Sequence, residues 1–318
     1  NRLKSDFSKK HLLVIGDLIL DSYILGNSTR LSPEAPVPIV EIEEEKSNPG
    51  GAANVALNLA GLGAKVTLIG AISDDLDGKT IKNKLATHNL ISTRFLELSD
   101  RTTTVKTRII SGGNHIARYD KESTENLMSS DQKKLLKIIT HSLHNIDALI
   151  FQDYDKGLLS ENIINSTLNQ CRVKDIPVYV DPKRKNFQFY KGVKLLKPNL
   201  SEFLEFCSVT DFRVEDGFTL KDKLKAEILL LTLGKGGMGI FEKENYSKIN
   251  TQARLVHDVC GAGDSVISVF ALSNICGCSL EESALISNLA AGRVCEEVGV
   301  YPINISALQD IVEHYSKT

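Results

Sequence analysis

The residues whose types and spacing suggest chemistry most directly run from Asp258 to Asp264, Asp-Val-Cys-Gly-Ala-Gly-Asp, followed by the apolar stretch from Ser265 to Leu272. A glycine-rich turn entering a helix leaves the first backbone N–H groups without intrahelical partners, beside the positive end of the helix dipole. Such a terminus is an anion site, and small residues let a phosphate approach the backbone closely. Gly261, Ala262 and Gly263 are therefore candidates for an anion hole. Asp264, in the first turn, is a poor phosphate binder because like charges repel. It fits better as a general base that takes a hydroxyl proton while the nest steadies a migrating phosphoryl group. It also fits a plain helix cap, and the motif alone leaves both readings open.

Other polar residues fall where a ligand would collect. Asp17, Asp21, Asn54 and Asp153 lie at strand ends or helix starts, which an α/β sheet brings toward one edge. A polyhydroxylated ligand needs such paired donors and acceptors. Asp153 fits a turn former equally well. Arg30, Lys106, Arg108, Arg118 and Lys183 are candidates for holding a phosphate on the ligand, although cations on a small exposed sheet are commonly solvated edge charges.

The elements that must position these residues are legible in the apolar pattern. His11–Gly16, Lys65–Gly70, Asp147–Gln152, Pro177–Val180 and Glu227–Leu233 read as short buried strands. Ala52–Leu62, Leu76–Asn89, Ser130–His144 and Ser160–Lys174 carry helical spacing between them. The alternation predicts an α/β, doubly wound, mostly parallel sheet flanked by helices. Two regions break the rhythm. Tyr23–Glu45 holds Pro33, Pro36 and Pro38 and then an alternating stretch, and Thr102–Asp120 reads as a hairpin turning at Gly112-Gly113-Asn114. They predict a small β-sheet lid from about residues 22–46 and 101–120, on a single domain filling residues 1–318.

Bulk properties exclude several classes. A formal net charge of −2 implies no overall pull toward nucleic acid or an anionic membrane, though it leaves a local basic pocket open. The six cysteines follow no disulfide or zinc spacing, as expected of reduced thiols. Asn1 to Lys10 has no apolar signal region and no apolar run reaches the length of a membrane span, so the expected setting is cytoplasmic.

The Asp258–Asp264 segment resembles the signature of ribokinase-like sugar kinases, the phosphofructokinase B family, with Val259 at a usual threonine. Pro49-Gly-Gly-Ala-Ala-Asn54 resembles the family's sugar-contacting Gly-Gly signature, with Ala52 where ribokinases often carry lysine. Asn199-Leu-Ser-Glu202 resembles the N-x-x-E motif, and Thr232-Leu-Gly-Lys-Gly-Gly237 the turn that holds the nucleotide. Read alone, the first is an ordinary helix start and the second a hairpin loop. The resemblance implies ATP and Mg²⁺, with Glu202 reaching the ion through water and Asp258 a candidate for a monovalent cation such as K⁺. It implies sugar contacts from Asp17, Gly50, Gly51 and Asn54. It assigns Asn199, Thr232, Gly234, Gly236, Gly237 and Asn288 to the nucleotide.

Within that family the chain resembles the D-glycero-D-manno-heptose 7-phosphate kinases of lipopolysaccharide-core assembly. The match is carried by Gly16–Asp21, Ser28–Pro38, Asp153–Gly157, Asp181-Pro-Lys183 and Leu196–Phe203. The implied reaction is phosphorylation of the sugar's O1, by a homodimer joined through its lids. Many enzymes of that branch carry a nucleotidyltransferase domain, and no such adenylyltransferase domain is expected within these residues. The alternatives are a related kinase for another sugar phosphate, free sugar or nucleoside, and a non-catalytic sugar- or nucleotide-binding protein.

Overall fold

The computed structural model describes residues 2–251 and 258–315. Its strands are β1 (His11–Gly16), β2 (Leu18–Leu31), β3 (Pro38–Gly51), β4 (Lys65–Ser73), β5 (Ile91–Leu98), β6 (Thr104–Ser111) and β7 (Asn114–Lys121). There follow β8 (Ala148–Gln152), β9 (Val178–Asp181), β10 (Leu195–Leu196), β11 (Ile228–Thr232), β12 (Met238–Glu242) and β13 (Asn245–Ile249). The helices are α1 (Arg2–Phe7), α2 (Ala52–Gly61), α3 (Leu76–Ala86), α4 (Ser129–Ser142), α5 (Glu161–Val173), α6 (Leu200–Cys207), α7 (Val214–Leu224), α8 (Ala262–Ile275), α9 (Leu280–Val294) and α10 (Ile305–Tyr315).

Nine strands form one sheet in the order β13-β12-β11-β10-β9-β8-β1-β4-β5. All neighbours from β11 to β5 are parallel; β12 runs against them, and β13, antiparallel to β12, returns to their direction. Pleating sends alternate residues of β1 to opposite faces. Leu12 and Val14 pack with Val55 and Leu59 of α2 and Ile267 and Phe270 of α8, while Leu13 and Ile15 pack with helices α4 and α5. Each such side chain contributes roughly 1.5–3 kcal/mol on burial. Helix α8 is buried continuously from Asp264 to Ser273, which is why its sequence shows no amphipathic period.

From β1 the chain works outward to β4 and β5, then returns to the other side of β1 at β8. The order reverses between β1 and β8, and their ends lie side by side, Gly16 against Gln152. Crevices at such reversals, beyond the carboxyl ends of the strands, are where this architecture binds ligands.

The second sheet has the order β3-β2-β6-β7. The β6–β7 hairpin turns at Gly112 and Gly113, both at positive φ (55° and 80°), as a tight turn requires. Both segments that broke the sequence rhythm enter this one sheet, because β2 pairs parallel to β6. Strand β2 leaves β1 through Asp17 alone, so the lid is rooted at the reversal point. Strand β5, an alternating edge strand, is an element the apolar pattern did not single out.

Candidate active site

Asp264 lies in the first turn of α8 and is 3 % exposed. Its Oδ2 accepts from Asn54 Nδ2 of α2 at 2.7 Å. Its Oδ1 accepts from Gln152 Nε2 at 3.0 Å and from the Tyr154 hydroxyl at 2.9 Å, both at the end of β8. Burial and the neighbouring Asp181 charge push the carboxyl up to about 7, against the pull of the Asn54 and Tyr154 hydrogen bonds and the Lys197 ammonium. A base whose affinity for protons lies near neutrality is well matched to taking a hydroxyl proton.

The turn before it is built for close approach. Gly261 caps α8 at φ 77°, and a Cβ there would stand 2.8 Å from Asn54 Nδ2. No side chain caps this terminus, and beyond Gly263 lies Lys197 Nζ, 3.4 Å from where a Cβ would be. Lys197 is paired with Asp181 at 3.1 Å, and Gln152 Nε2 also donates to Asp181 at 3.0 Å. Asp258 accepts from Cys260 N at 3.0 Å and Gly299 N at 3.1 Å, fixing the turn to the segment after α9.

On the ligand side, Gly50 and Gly51 end β3, and Gly51 caps α2. A Cβ on Gly50 would lie 1.9 Å from Asp21 Oδ2, so only glycine admits the Asp21 carboxylate here. Asp21 itself is bonded to Arg108 at 2.6 Å, and both side chains are nearly enclosed. Arg108 also lies over the Tyr23 ring, 5.4 Å from its centroid. Lys106 Nζ stands 5.4 Å over the Tyr154 ring, and burial holds its ammonium below the usual lysine range.

Four candidates are placed differently from the sequence expectation. Asp153 is 1 % exposed, and its carboxylate accepts from the Tyr190 hydroxyl (2.7 Å), Asn186 Nδ2 (3.0 Å) and Asp155 N (2.9 Å). It braces the 3₁₀ turn Arg184–Phe189 and does not face Asp264. Arg30 and Arg118 are exposed in surface pairs, with Glu41 at 3.7 Å and Asp120 at 3.1 Å. Asp17 is near the reversal point but spends its carboxylate on the backbone of Tyr154 (2.8 Å), Lys156 (3.1 Å) and Leu158 (3.4 Å). Burial still holds it above the usual carboxylate range.

The nucleotide candidates line the other half of the sheet edge. Asn199 and Glu202 form a reciprocal capping box at the start of α6, each bond 2.9 Å. The helix-start reading of N-x-x-E is thus correct locally, and the remaining Glu202 oxygen is bonded to Lys183. Lys183 Nζ also lies 5.4 Å over the Tyr154 ring, so it spans from the Glu202 carboxylate to the tyrosine that Lys106 also overlies. Thr232, ending β11, bridges to Asn199. Gly234 and Gly237 flank Gly236 in a turn at positive φ, 56° and 85°. Asn288 on α9 donates to Asn250 O at 2.7 Å.

Gln152, Tyr154, Asp181 and Lys197 were not singled out as site residues by sequence reasoning. The available signal was a polar residue closing an otherwise apolar strand, and a tyrosine next to a candidate aspartate.

A proton acceptor beside an uncapped glycine turn is the equipment for phosphoryl transfer to a hydroxyl, the work of a phosphotransferase. Residues 9–306 match the family model described as pfkB family carbohydrate kinase, and the chain belongs to that family. It is 38% identical over 308 residues to the bifunctional protein HldE of Coxiella burnetii (strain RSA 331 / Henzerling II), covering 95% of this chain and 64% of that one. It is 37% identical over 317 residues to the bifunctional protein HldE of Vibrio cholerae serotype O1 (strain M66-2), covering 98% and 65%. The chain therefore spans a little under two thirds of the length of these relatives. Among solved structures it resembles Escherichia coli phosphofructokinase-2 in complex with substrates and products, with TM-score 0.81, 18% identity, and 96% and 99% of the two chains covered. Arabidopsis thaliana ribokinase complexed with ribose and ATP gives TM-score 0.74 at 17% identity, covering 96% and 99%. At those identities the likeness is one of fold.

Proposed function

We propose that this chain transfers the γ-phosphoryl group of ATP to O1 of D-glycero-D-manno-heptose 7-phosphate, giving the 1,7-bisphosphate. The observation that carries the kinase part is the Asp264 carboxylate, buried at the mouth of the uncapped Gly261–Gly263 turn and poised near neutrality. A carboxylate offers about four lone-pair sites, so three protein hydrogen bonds leave one open, on Oδ2. The sugar hydroxyl gives its proton there as its oxygen attacks the γ-phosphorus. The turn's N–H groups receive the charge on the phosphoryl oxygens, and Lys197 adds a fixed cation behind them.

Among the described residues no three His, Cys, Asp or Glu side chains could hold a metal ion together. That fits Mg²⁺, which keeps several waters and binds through nucleotide phosphates, with Glu202 as a water-mediated contact. The ion would neutralise charge on the transferring phosphates. Asp258, each oxygen taking one N–H, is the candidate for a monovalent cation such as K⁺; one phosphofructokinase-2 neighbour was solved in complex with potassium.

The choice of a heptose 7-phosphate rests on the sequence resemblance of residues 28–38, 153–157, 181–183 and 196–203. Lys106 and Arg108 are the lid cations turned toward the site, and they are the candidates for its distal phosphate. The lid's open edges, β3 and β7, and its exposed Leu31, Val37, Ile42, Ile116 and Tyr119 support a homodimer through the lids. Among the described residues no helix is long and apolar enough to cross a membrane, and a cytoplasmic setting would keep the six free cysteines reduced.

The test is ADP release on a panel of heptose 7-phosphate, heptose, fructose 6-phosphate, ribose and adenosine, with the new phosphate placed by ³¹P NMR. Losing two charge-assisted phosphate contacts should lower kcat/KM for the free heptose by roughly 10²–10⁴. Best turnover of fructose 6-phosphate or ribose would overturn the heptose assignment and leave the kinase one standing.

A further inference from the structure

Tyr154 occupies a position that nothing in the reaction outlined so far explains. Its backbone N–H is fixed by Asp17 at 2.8 Å, and its hydroxyl donates to Asp264 Oδ1 at 2.9 Å. Over its ring stand two ammonium groups, Lys106 from lid strand β6 and Lys183 from the loop after β9, each 5.4 Å from the centroid. One side chain thus touches the base, a lid cation and a nucleotide-side cation.

We infer that Tyr154 is a positioning residue for the base: its hydroxyl closes Asp264 Oδ1 and leaves Oδ2 as the oxygen that meets the substrate, while its ring seats Lys106 and Lys183 beside the reaction centre. This rests on Asp264 being the base. The hydroxyl can serve as a constant donor, because burial and the nearby Asp264 and Asp181 charges hold it protonated well above the ordinary tyrosine range. Gln152 Nε2 cannot replace it, being shared between Asp264 and Asp181. Asp17's three bonds to the backbone of residues 154, 156 and 158 acquire a purpose as well, since they fix the loop from which the tyrosine reaches.

The charged and titratable groups facing this centre are Asp181 and Lys183 at the end of β9, Lys197 after β10, Asp21 from β2, Lys106 from β6 and Tyr154 itself. Of these groups only the tyrosine can lose its hydrogen bond to Asp264 without changing a charge.

Tyr154→Phe keeps the ring and removes that bond. In protein labelled with ¹³C at the aspartate carboxyls, the resonance absent from Asp264→Asn identifies Asp264 without any substrate. Its titration midpoint should rise by about one unit in Tyr154→Phe, the size of one hydrogen bond to a charged group. With heptose 7-phosphate and ATP, kcat at pH 7 should fall ~5-fold with KM within about twofold, and raising the pH to 9 should restore most of the loss. Site-specific 3-fluorotyrosine at 154, a stronger donor of nearly the same shape, should move the midpoint down, which keeps the test decisive if the Phe variant folds poorly. Tyr154→Leu, which also removes the ring, should in addition raise KM by ~10-fold. An unmoved midpoint in both the Phe and fluorotyrosine proteins, with Asp264→Asn inactive, overturns the role of Tyr154 and leaves the base assignment intact. An Asp264→Asn enzyme of near wild-type kcat overturns both.

Discussion

The pocket around Asp264 and the outer lid are both rich in polar side chains, but they are held in opposite ways. Asp264 is bonded to Asn54, Gln152 and Tyr154, which lie 210, 112 and 110 residues away in sequence, and the group is enclosed. On the lid Arg118 pairs with Asp120 two residues on, and Arg30 with Glu41 across the β2–β3 ribbon, both in water. Enclosure changes what a charge can do. In the pocket it lifts a carboxyl to about 7, the range that suits a general base, whereas a solvated pair is worth ~0–1 kcal/mol and can part when a ligand arrives. The Asp21–Arg108 pair stands between these extremes, on a lid strand but almost fully covered.

The largest expected effect lies in the pocket: Asp264→Asn should reduce kcat by ~10²–10⁴ with the thermal transition and ATP binding retained. Steady-state rates beside a melting curve check it, and retention of a third of wild-type kcat would make Asp264 a helix cap. Next comes the intermediate pair. Removing one partner leaves a covered charge alone, so Arg108→Met or Asp21→Asn should each destabilise by ~3 kcal/mol, and the double variant by clearly less than their sum. Urea unfolding supplies the double-mutant cycle; simple additivity would move this pair into the same category as the outer lid.

A third effect separates the regions by pH. Asp264 and Asp153 are both pushed up to about 7, so the folded chain holds their protons more tightly than the unfolded chain. The sign follows: their penalty is absent below the ordinary carboxylate range and grows as pH rises toward about 7. Asp264→Asn and Asp153→Asn should each flatten the fall of unfolding free energy between pH 4 and pH 8, read by urea titrations across that range. The smallest effect is the outer lid's. Arg30→Ala should change stability by no more than ~0.5 kcal/mol and KM for the sugar phosphate by less than about twofold. A tenfold rise in KM would instead bring Arg30 to the ligand and erase the contrast.

The same division explains what the sequence reveals. The parallel sheet, its flanking helices and the lid hairpin follow from local periodicity and turn residues, so His11–Gly16, Ala52–Leu62 and Gly112-Gly113 are legible one segment at a time. The glycine turn is legible too, because backbone chemistry fixes which residues it tolerates. The partners of Asp264 are not, since Gln152 and Tyr154 meet it only through the packing of α8 against the ends of β8 and β9. Asp153 illustrates the converse: a strand-end aspartate attracts a binding role in sequence, but its neighbours Tyr190 and Asn186 turn it into a brace. The lid cations look alike in sequence, and only the pairing of β2 with β6 distinguishes Arg108, set beside Asp21 and Tyr23, from Arg118.

The position of α8 also bears on how the molecule comes into being. A ribosome adding residues in order has produced every strand of the described fold by Ile249, while the helix that carries Asp264 is still to come. Until α8 arrives, one face of the sheet lacks Ile267 and Phe270, and Asn54, Gln152 and Tyr154 lack the Asp264 carboxylate. Contacts spanning 110 to 210 residues form late because long loops must close first. One element therefore completes the hydrophobic core and the candidate site together, so a nascent chain that has not yet docked it is at once unfinished and sticky.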